Sequence, residues 1–205
     1  MAVDLQPYVD FVLEVDRLKA VLRQTCTVGG ARRENSAEHS WQIALLAAAL
    51  LPNLTPDLTP ELAPELDAAR VVAMLLVHDL GEIDAGDALV YAEHDWAEHQ
   101  AAERAGVQRV FGLLPPARRD HFLALWQEFE DAATPEARFA HAVDRAMPVL
   151  LNLANQGQSW RENGVSHARV VARIGPPIRA GCPALWDYLV PRLAEAQARG
   201  WFGDT

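Results

Sequence analysis

The segment Leu66–Asp87, LDAARVVAMLLVHDLGEIDAGD, decides the fold class. Its apolar first part predicts a helix over about Leu66–Leu80, and the two glycines of GEIDAGD predict a turn whose polar groups project into a cleft. On the N-terminal side, Val9, Phe11, Val12, Val15, Leu18, Val21 and Leu22 recur at helical spacing, with Glu14, Asp16, Arg17 and Lys19 between them. That is an amphipathic first helix, ending near Thr27 where Gly29 and Gly30 break the pattern. Asn35 is placed as an N-cap, with Glu38 three residues on completing a capping-box pattern. The helix that follows, AEHSWQIALLAAALL, is apolar almost all round and is expected to be deeply buried. Between it and the deciding segment, PNLTPDLTPELAP (52–64) reads as a surface loop, not a domain boundary.

C-terminal to the deciding segment, helices are expected at about Asp95–Gly112, Pro116–Asp131, Pro135–Gln156, Ser166–Ile174 and Pro183–Arg199. Prolines start several of them, and Pro148 is expected to kink its helix. No strand-like alternation persists, and no internal repeat is present. The expectation is an all-α, single-domain bundle of seven or so helices over residues 1–205.

Composition narrows the function. The 205 residues carry a net charge of −10, which disfavours nucleic acid or an anionic membrane as partner. A small phosphorylated substrate remains possible, because a metal and one or two arginines can reverse the sign inside a cleft. The two cysteines, Cys26 and Cys182, fit neither a disulfide framework nor a thiolate metal site. The opening MAVDLQPYVD lacks a secretory pattern, and the longest apolar run, Ile43 to Leu51, is too short for a bilayer. A cytoplasmic protein is the expectation.

His78 and Asp79 are adjacent at the end of an apolar helix. Neighbours on a helix point about 100° apart, so both can approach one ion only across the helix end, where the backbone begins to unwind. A core histidine beside a capping aspartate is the other reading of such a pair. His39 lies near the start of an almost wholly apolar helix, where an imidazole is costly unless it bonds something. Asp144, in HAVDRAMPVLL, needs a cation, either Arg145 or a metal. Two imidazoles and two carboxylates form a mixed N/O set suited to Mn, Co, Fe, Ni or Zn. Such an ion keeps room for water and a substrate oxygen, as metal-assisted hydrolysis requires.

The ordered set His39 … His78-Asp79 … Asp144 resembles the H…HD…D signature of the HD-domain phosphohydrolases. RENSAEHSW (33–41), HDLGEIDAGD (78–87), LWQEFE (125–130) and TPEARFAHAVDR (134–145) resemble the branch that includes bacterial and eukaryotic 5′-deoxynucleotidases. The resemblance runs from the first helix to about Trp160. It implies one divalent metal per chain (Mn, Co, Fe, Ni, Zn or Mg) on His39, His78, Asp79 and Asp144, a catalytic acid at Glu82, and Asp87 near the sugar of a nucleotide. It also implies an arginine for the phosphate from the end of the first helix. Arg23 is the nearest match, although the register through RENSAEH puts Gln24 at that column; Arg32 and Arg33 are rivals. Homodimers are common in the family.

Physically, a carboxylate one turn beyond His78 can take a proton from water or hand one to the leaving oxygen. Trp41, Trp126 and Trp160 can stack on a base, though helical tryptophans are more often core. The remaining histidines, 94, 99, 121, 141 and 167, sit in polar sequence and are read as structural. The leading function is hydrolysis of deoxyribonucleoside monophosphates to nucleoside and phosphate. Another HD-type hydrolysis (of a nucleotide pyrophosphate or a different phosphomonoester) and a non-catalytic interaction protein are the alternatives.

Overall fold

The computed structural model describes residues 3–53, 66–91 and 96–203. In chain order the elements are α1 (Gln6–Val15), a 3-10 turn (Asp16–Ala20), β1 (Leu22–Cys26), β2 (Arg33–Asn35), α2 (Ser36–Leu50), α3 (Ala68–Val77), a 3-10 turn (His78–Gly81) and α4 (Glu82–Ala85). Then follow α5 (Trp96–Phe111), α6 (Pro116–Asp131), α7 (Pro135–Ala154), α8 (Gln158–Glu162), α9 (His167–Gly181) and α10 (Pro183–Ala198). The all-α expectation holds, apart from one two-stranded ribbon.

That ribbon corrects the reading of the N-terminal segment. Helix α1 stops at Val15, and β1 pairs antiparallel with β2, Leu22 opposite Asn35 and Cys26 opposite Arg33. The glycines read as helix breakers are the hairpin turn: Gly29 and Gly30 have φ of 92° and 70°, which only glycine adopts without strain. The apolar spacing of Val21 and Leu22 continued that of the helix, so periodicity alone did not separate helix from a short strand. Expectation and structure agree at α2, where Asn35 Oδ1 accepts from the Glu38 amide at 2.9 Å and Glu38 reaches back to the Asn35 amide at 3.2 Å. Ile43, Ala44 and Ala47 are buried, but Trp41 (61%) and Leu45 (50%) face outward, so α2 is buried on one side and not all round.

Helix α7 organises the rest. Phe139, Val143 and Met147 join a core built with α2, α3, α5 and α6, while Ala146 and Val149 join a second core with α9 and α10. Both Pro148 in α7 and Pro176–Pro177 in α9 lie inside continuous helix, so α9 runs seven residues beyond the expected Ile174. Its face Val170, Ile174, Ile178 is buried, and that packing outweighs the lost proline hydrogen bonds. The short α8 was not anticipated. Residues 54–64 of the expected loop, and His94, lie outside the described residues. Among the described residues no helix is long and apolar enough to cross a membrane.

One contact sets the floor of the cleft. A Cβ added to Gly81 would lie 2.6 Å from the Glu103 carbonyl oxygen, and one added to Gly106 would lie 2.7 Å from the Gly81 carbonyl. Only hydrogen fits at either position, so α5 crosses the 78–81 turn at backbone contact. Gly81→Ala should therefore destabilise the protein by about 1–3 kcal/mol, the usual penalty of overpacking. Urea unfolding of variant and wild type measures this, and an unchanged midpoint would mean that the crossing yields without cost.

Candidate metal centre

Three helices bring the predicted residues together. His39 sits in the first turn of α2, fixed by the Asn35 cap, and is fully buried. His78 and Asp79 begin the 3-10 turn after α3, where the chain tightens as the helix unwinds. Asp144 projects from the middle of α7 and is buried. His39 Nε2 lies 2.9 Å from Asp144 Oδ1, and His78 Nε2 lies 2.9 Å from Asp79 Oδ1 and 3.8 Å from Asp144 Oδ1. Ligand atoms of His39, His78 and Asp144 all fall within 4.8 Å of one another. Asp79 adjoins this trio and turns its other oxygen to Arg23, 3.2 Å from Nη1.

The donor set fits a divalent cation. The Nδ1–H of His78 donates to the Leu75 carbonyl at 2.9 Å, which a carbonyl can only accept. In the neutral ring, Nε2 then carries a lone pair, and it is a buried atom without a hydrogen-bond partner among the described residues. A lone pair aimed at two carboxylates is repelled unless a proton or a metal ion lies between. The surroundings favour cationic imidazole and anionic carboxylate. Burial works against charge on His78, but Asp79 and Asp144 outweigh it and raise its pKa. Burial likewise opposes ionisation of Asp144, yet Arg145 and the His39 bond hold it well below the usual carboxylate range. Asp79 is also lowered, against burial, by His78 and Arg23.

Glu82, at the start of α4, is buried and accepts from Ser36 Oγ at 2.6 Å. Burial, with Asp79 and Asp87 nearby, pushes its carboxyl well above the ordinary value. Gly86, at φ 78°, turns the chain so that Asp87 comes back towards Arg23, 3.5 Å from Nη1. Arg23 lies on β1, not at a helix end, and is shared among Asp79, Asp87 and Glu34. The rival arginines are elsewhere. Arg32 is exposed and forms a forked pair with Glu38 at 2.7 and 2.8 Å, and Arg33 is exposed on β2. Neither lines the cleft.

The cleft is a cavity of about 270 Å³ whose wall includes Arg23, Gln24, His78, Asp79, Glu82, Asp87 and Asp144. Trp160 also lines it, Trp126 is core and donates to the His78 carbonyl at 3.1 Å, and Trp41 is exposed. Two histidines read as structural prove to line the cavity. His99 does so from α5, and His141 stacks on Phe129 with ring centroids 4.1 Å apart. The polar residues around them hid this, since a cavity wall and a solvated face have the same composition. Glu34, Ser36, Glu103, Glu130 and Arg173 were not singled out by the sequence. Glu34 lay in view within RENSAEH, but as one acid among several.

The HD domain family model matches residues 15–186. A crystal structure from Magnetospirillum magnetotacticum MS-1, described as a predicted metal-dependent phosphohydrolase, is 41% identical, with a TM-score of 0.87 over 97% of this chain and 95% of that one. Human 5′-deoxynucleotidase HDDC2 is 26% identical over 141 residues, which is 68% of this chain and 64% of the human protein. The 5′-deoxynucleotidase YfbR of Salmonella newport (strain SL254) is 29% identical over 136 residues, 62% of this chain and 66% of that protein. This chain thus spans just under two thirds of the length of these two relatives.

On α5, which crosses the 78–81 turn, burial, with Glu130 and Asp79 nearby, pushes the Glu103 carboxyl up to about 7. Its Oε1 lies 3.1 Å from His99 Nε2. The folded pKa lies above the unfolded one, so this group's contribution to stability is full below about 4.5 and is lost as pH rises through about 7. Glu103→Gln removes that dependence. The difference in Tm, variant minus wild type, should widen in favour of the variant between about pH 5 and about pH 8. Melting curves in chelator measure it, and a constant difference would return Glu103 to the ordinary carboxylate range.

Proposed function

This chain belongs to the HD-domain family, and from that membership we propose that it hydrolyses nucleoside 5′-monophosphates, deoxyribonucleotides foremost, to nucleoside and phosphate. The metal-dependent phosphohydrolase chemistry is that of its relatives. The observation that carries the finer reading is the buried Nε2 of His78, without a hydrogen-bond partner among the described residues and facing two carboxylates with Arg23 alongside. One divalent ion would be held by His39, His78, Asp79 and Asp144, a set suited to Mn, Co, Fe, Ni or Zn, with Mg included by the resemblance. When bound, the ion supplies Lewis acidity and makes water a better nucleophile at neutral pH.

The protein's own groups then divide the work. Arg23, stiffened by three carboxylates, offers its guanidinium to the phosphate and to the charge that spreads over it in the transition state. Burial, with Asp79 and Asp87 nearby, pushes the Glu82 carboxyl well above its ordinary value, which suits it to exchange a proton with the attacking water or the leaving oxygen. Ser36 fixes which Glu82 oxygen is engaged. Asp87 stands beside Arg23, as a partner for a sugar hydroxyl. Both relatives named 5′-deoxynucleotidase support this substrate class. A substrate with a second phosphate is the alternative reading, favoured by Arg145 and Arg173 on the same cavity wall.

Phosphate release across a panel of nucleoside mono- and diphosphates with Mn, Co or Mg tests the proposal. Monophosphates should be the best substrates, deoxy above ribo; preference for diphosphates would favour the alternative. Asp144→Ala should lower metal content below about one ion per chain, and unchanged content would remove Asp144 from the site. Glu82→Gln should keep the metal and lose about two to four orders of magnitude in kcat. Compared at matched metal content, near wild-type turnover would pass the proton-transfer role to Asp87.

A further inference from the structure

Glu34 is a buried acid, 2% exposed, that none of these roles uses. Three donors converge on its Oε1. Thr25 Oγ1 donates at 2.5 Å, Arg23 Nε lies 3.3 Å away, and His39 Nδ1 lies 3.7 Å away. The two nitrogens are buried and have no hydrogen-bond partner among the described residues. The ribbon makes this convergence possible. Arg23 and Thr25 lie on β1 between the pairs Leu22–Asn35 and Cys26–Arg33, where the register shifts, and Glu34 lies between the same two pairs on β2.

We propose that Glu34 is a positioning residue that joins the metal site to the phosphate-binding arginine. This rests on the reading of His39 as a metal ligand and of Arg23 as the phosphate clamp. A neutral imidazole has one N–H. Nε2 of His39 faces Asp144 and the ligand cluster, so it holds an ion only if the hydrogen sits on Nδ1. A hydrogen on Nδ1 needs a buried acceptor, and the carboxylate oxygen it faces is Glu34 Oε1 at 3.7 Å, which becomes a bond only if the two side chains draw closer. The same oxygen faces Arg23 Nε, while Nη1 of the same guanidinium faces Asp79 and Asp87. One carboxylate thus orients the imidazole that meets the ion and the guanidinium that meets the phosphate. Carboxylates in this relation to a ligating histidine raise its basicity and fix its ring.

The test is metal affinity of the full-length protein, titrated with Co(II) or Mn(II) alone against a competing chelator. Glu34→Gln keeps the volume and an oxygen for Thr25 but removes the charge. It should bind either ion about 10–100-fold more weakly and shift the visible absorption of the cobalt-loaded protein. Thr25→Val loosens the hairpin contact and leaves the charge, so its affinity and cobalt spectrum should stay close to wild type. If Glu34→Gln fails to fold, Glu34→Asp carries the same measurement, because its shorter reach should also weaken cobalt binding. Wild-type affinity and spectrum in the Glu34 variant would overturn the proposal, as would an equal loss in Thr25→Val, which would make the ribbon's integrity the cause. Wild-type protein that takes up neither ion would overturn the metal reading and this inference with it. Loss confined to the Glu34 variant supports both.

Discussion

The buried Nε2 of His78, which carries a lone pair in the neutral ring, is the constraint on which the rest depends. Its partner nitrogen is committed to the Leu75 carbonyl, and 2.9 Å in front of it lies a carboxylate oxygen. Two electron-rich atoms at that distance in a buried place require a positive centre between them. Everything that keeps them there is expensive elsewhere: a helix that gives up its last turn to a tighter coil, and two glycines that let α5 press against that coil. A backbone contact this close leaves the 78–81 turn little freedom to relax the clash by moving away.

Helix α7 supplies the opposite wall. Asp144 sits midway along it, with side chains of two hydrophobic cores on either side, so its position follows from packing and not from local hydrogen bonds. Pro148 lies four residues later and has no amide hydrogen for the Asp144 carbonyl. The helix thus lacks one backbone hydrogen bond at the turn that bears the acid, yet it runs unbroken through both cores.

Much of this was legible in the sequence, for a physical reason. His39, His78 and Asp144 stand out because burial makes each of them costly, and residues that are costly in the same way in one chain tend to share a cause. The capping box at Asn35 was legible because it is local: two side chains and two amides within four residues. The ribbon was not. Val21 and Leu22 continue a helical spacing, and nothing within the window tells that Arg23 and Thr25 will come to lie against Glu34. For the same reason Arg23 was placed on the wrong element, and Glu34 was not singled out. The cavity histidines His99 and His141 escaped because their neighbours are polar, and polarity in sequence does not distinguish water from a cleft.

Charge explains how such a cleft can receive an anion. Six acids line it, Asp79, Glu82, Asp87, Glu103, Glu130 and Asp144, against the three arginines Arg23, Arg145 and Arg173. Left fully ionised, that excess would repel a phosphate. The acids separate into two groups. Asp79 and Asp144, beside imidazoles and guanidinium groups, are held ionised against their burial. Glu82, Asp87, Glu103 and Glu130 are pushed the other way, mainly by burial, and so resist giving up their protons. Carboxylates of the first kind are suited to ligating a cation, and those of the second to holding and passing protons. The same residue type is thus suited to both ends of a hydrolysis. What separates the two groups is whether the cations beside a carboxyl outweigh its burial, as at Asp79 and Asp144, or fall short of it, as at Asp87 and Glu130.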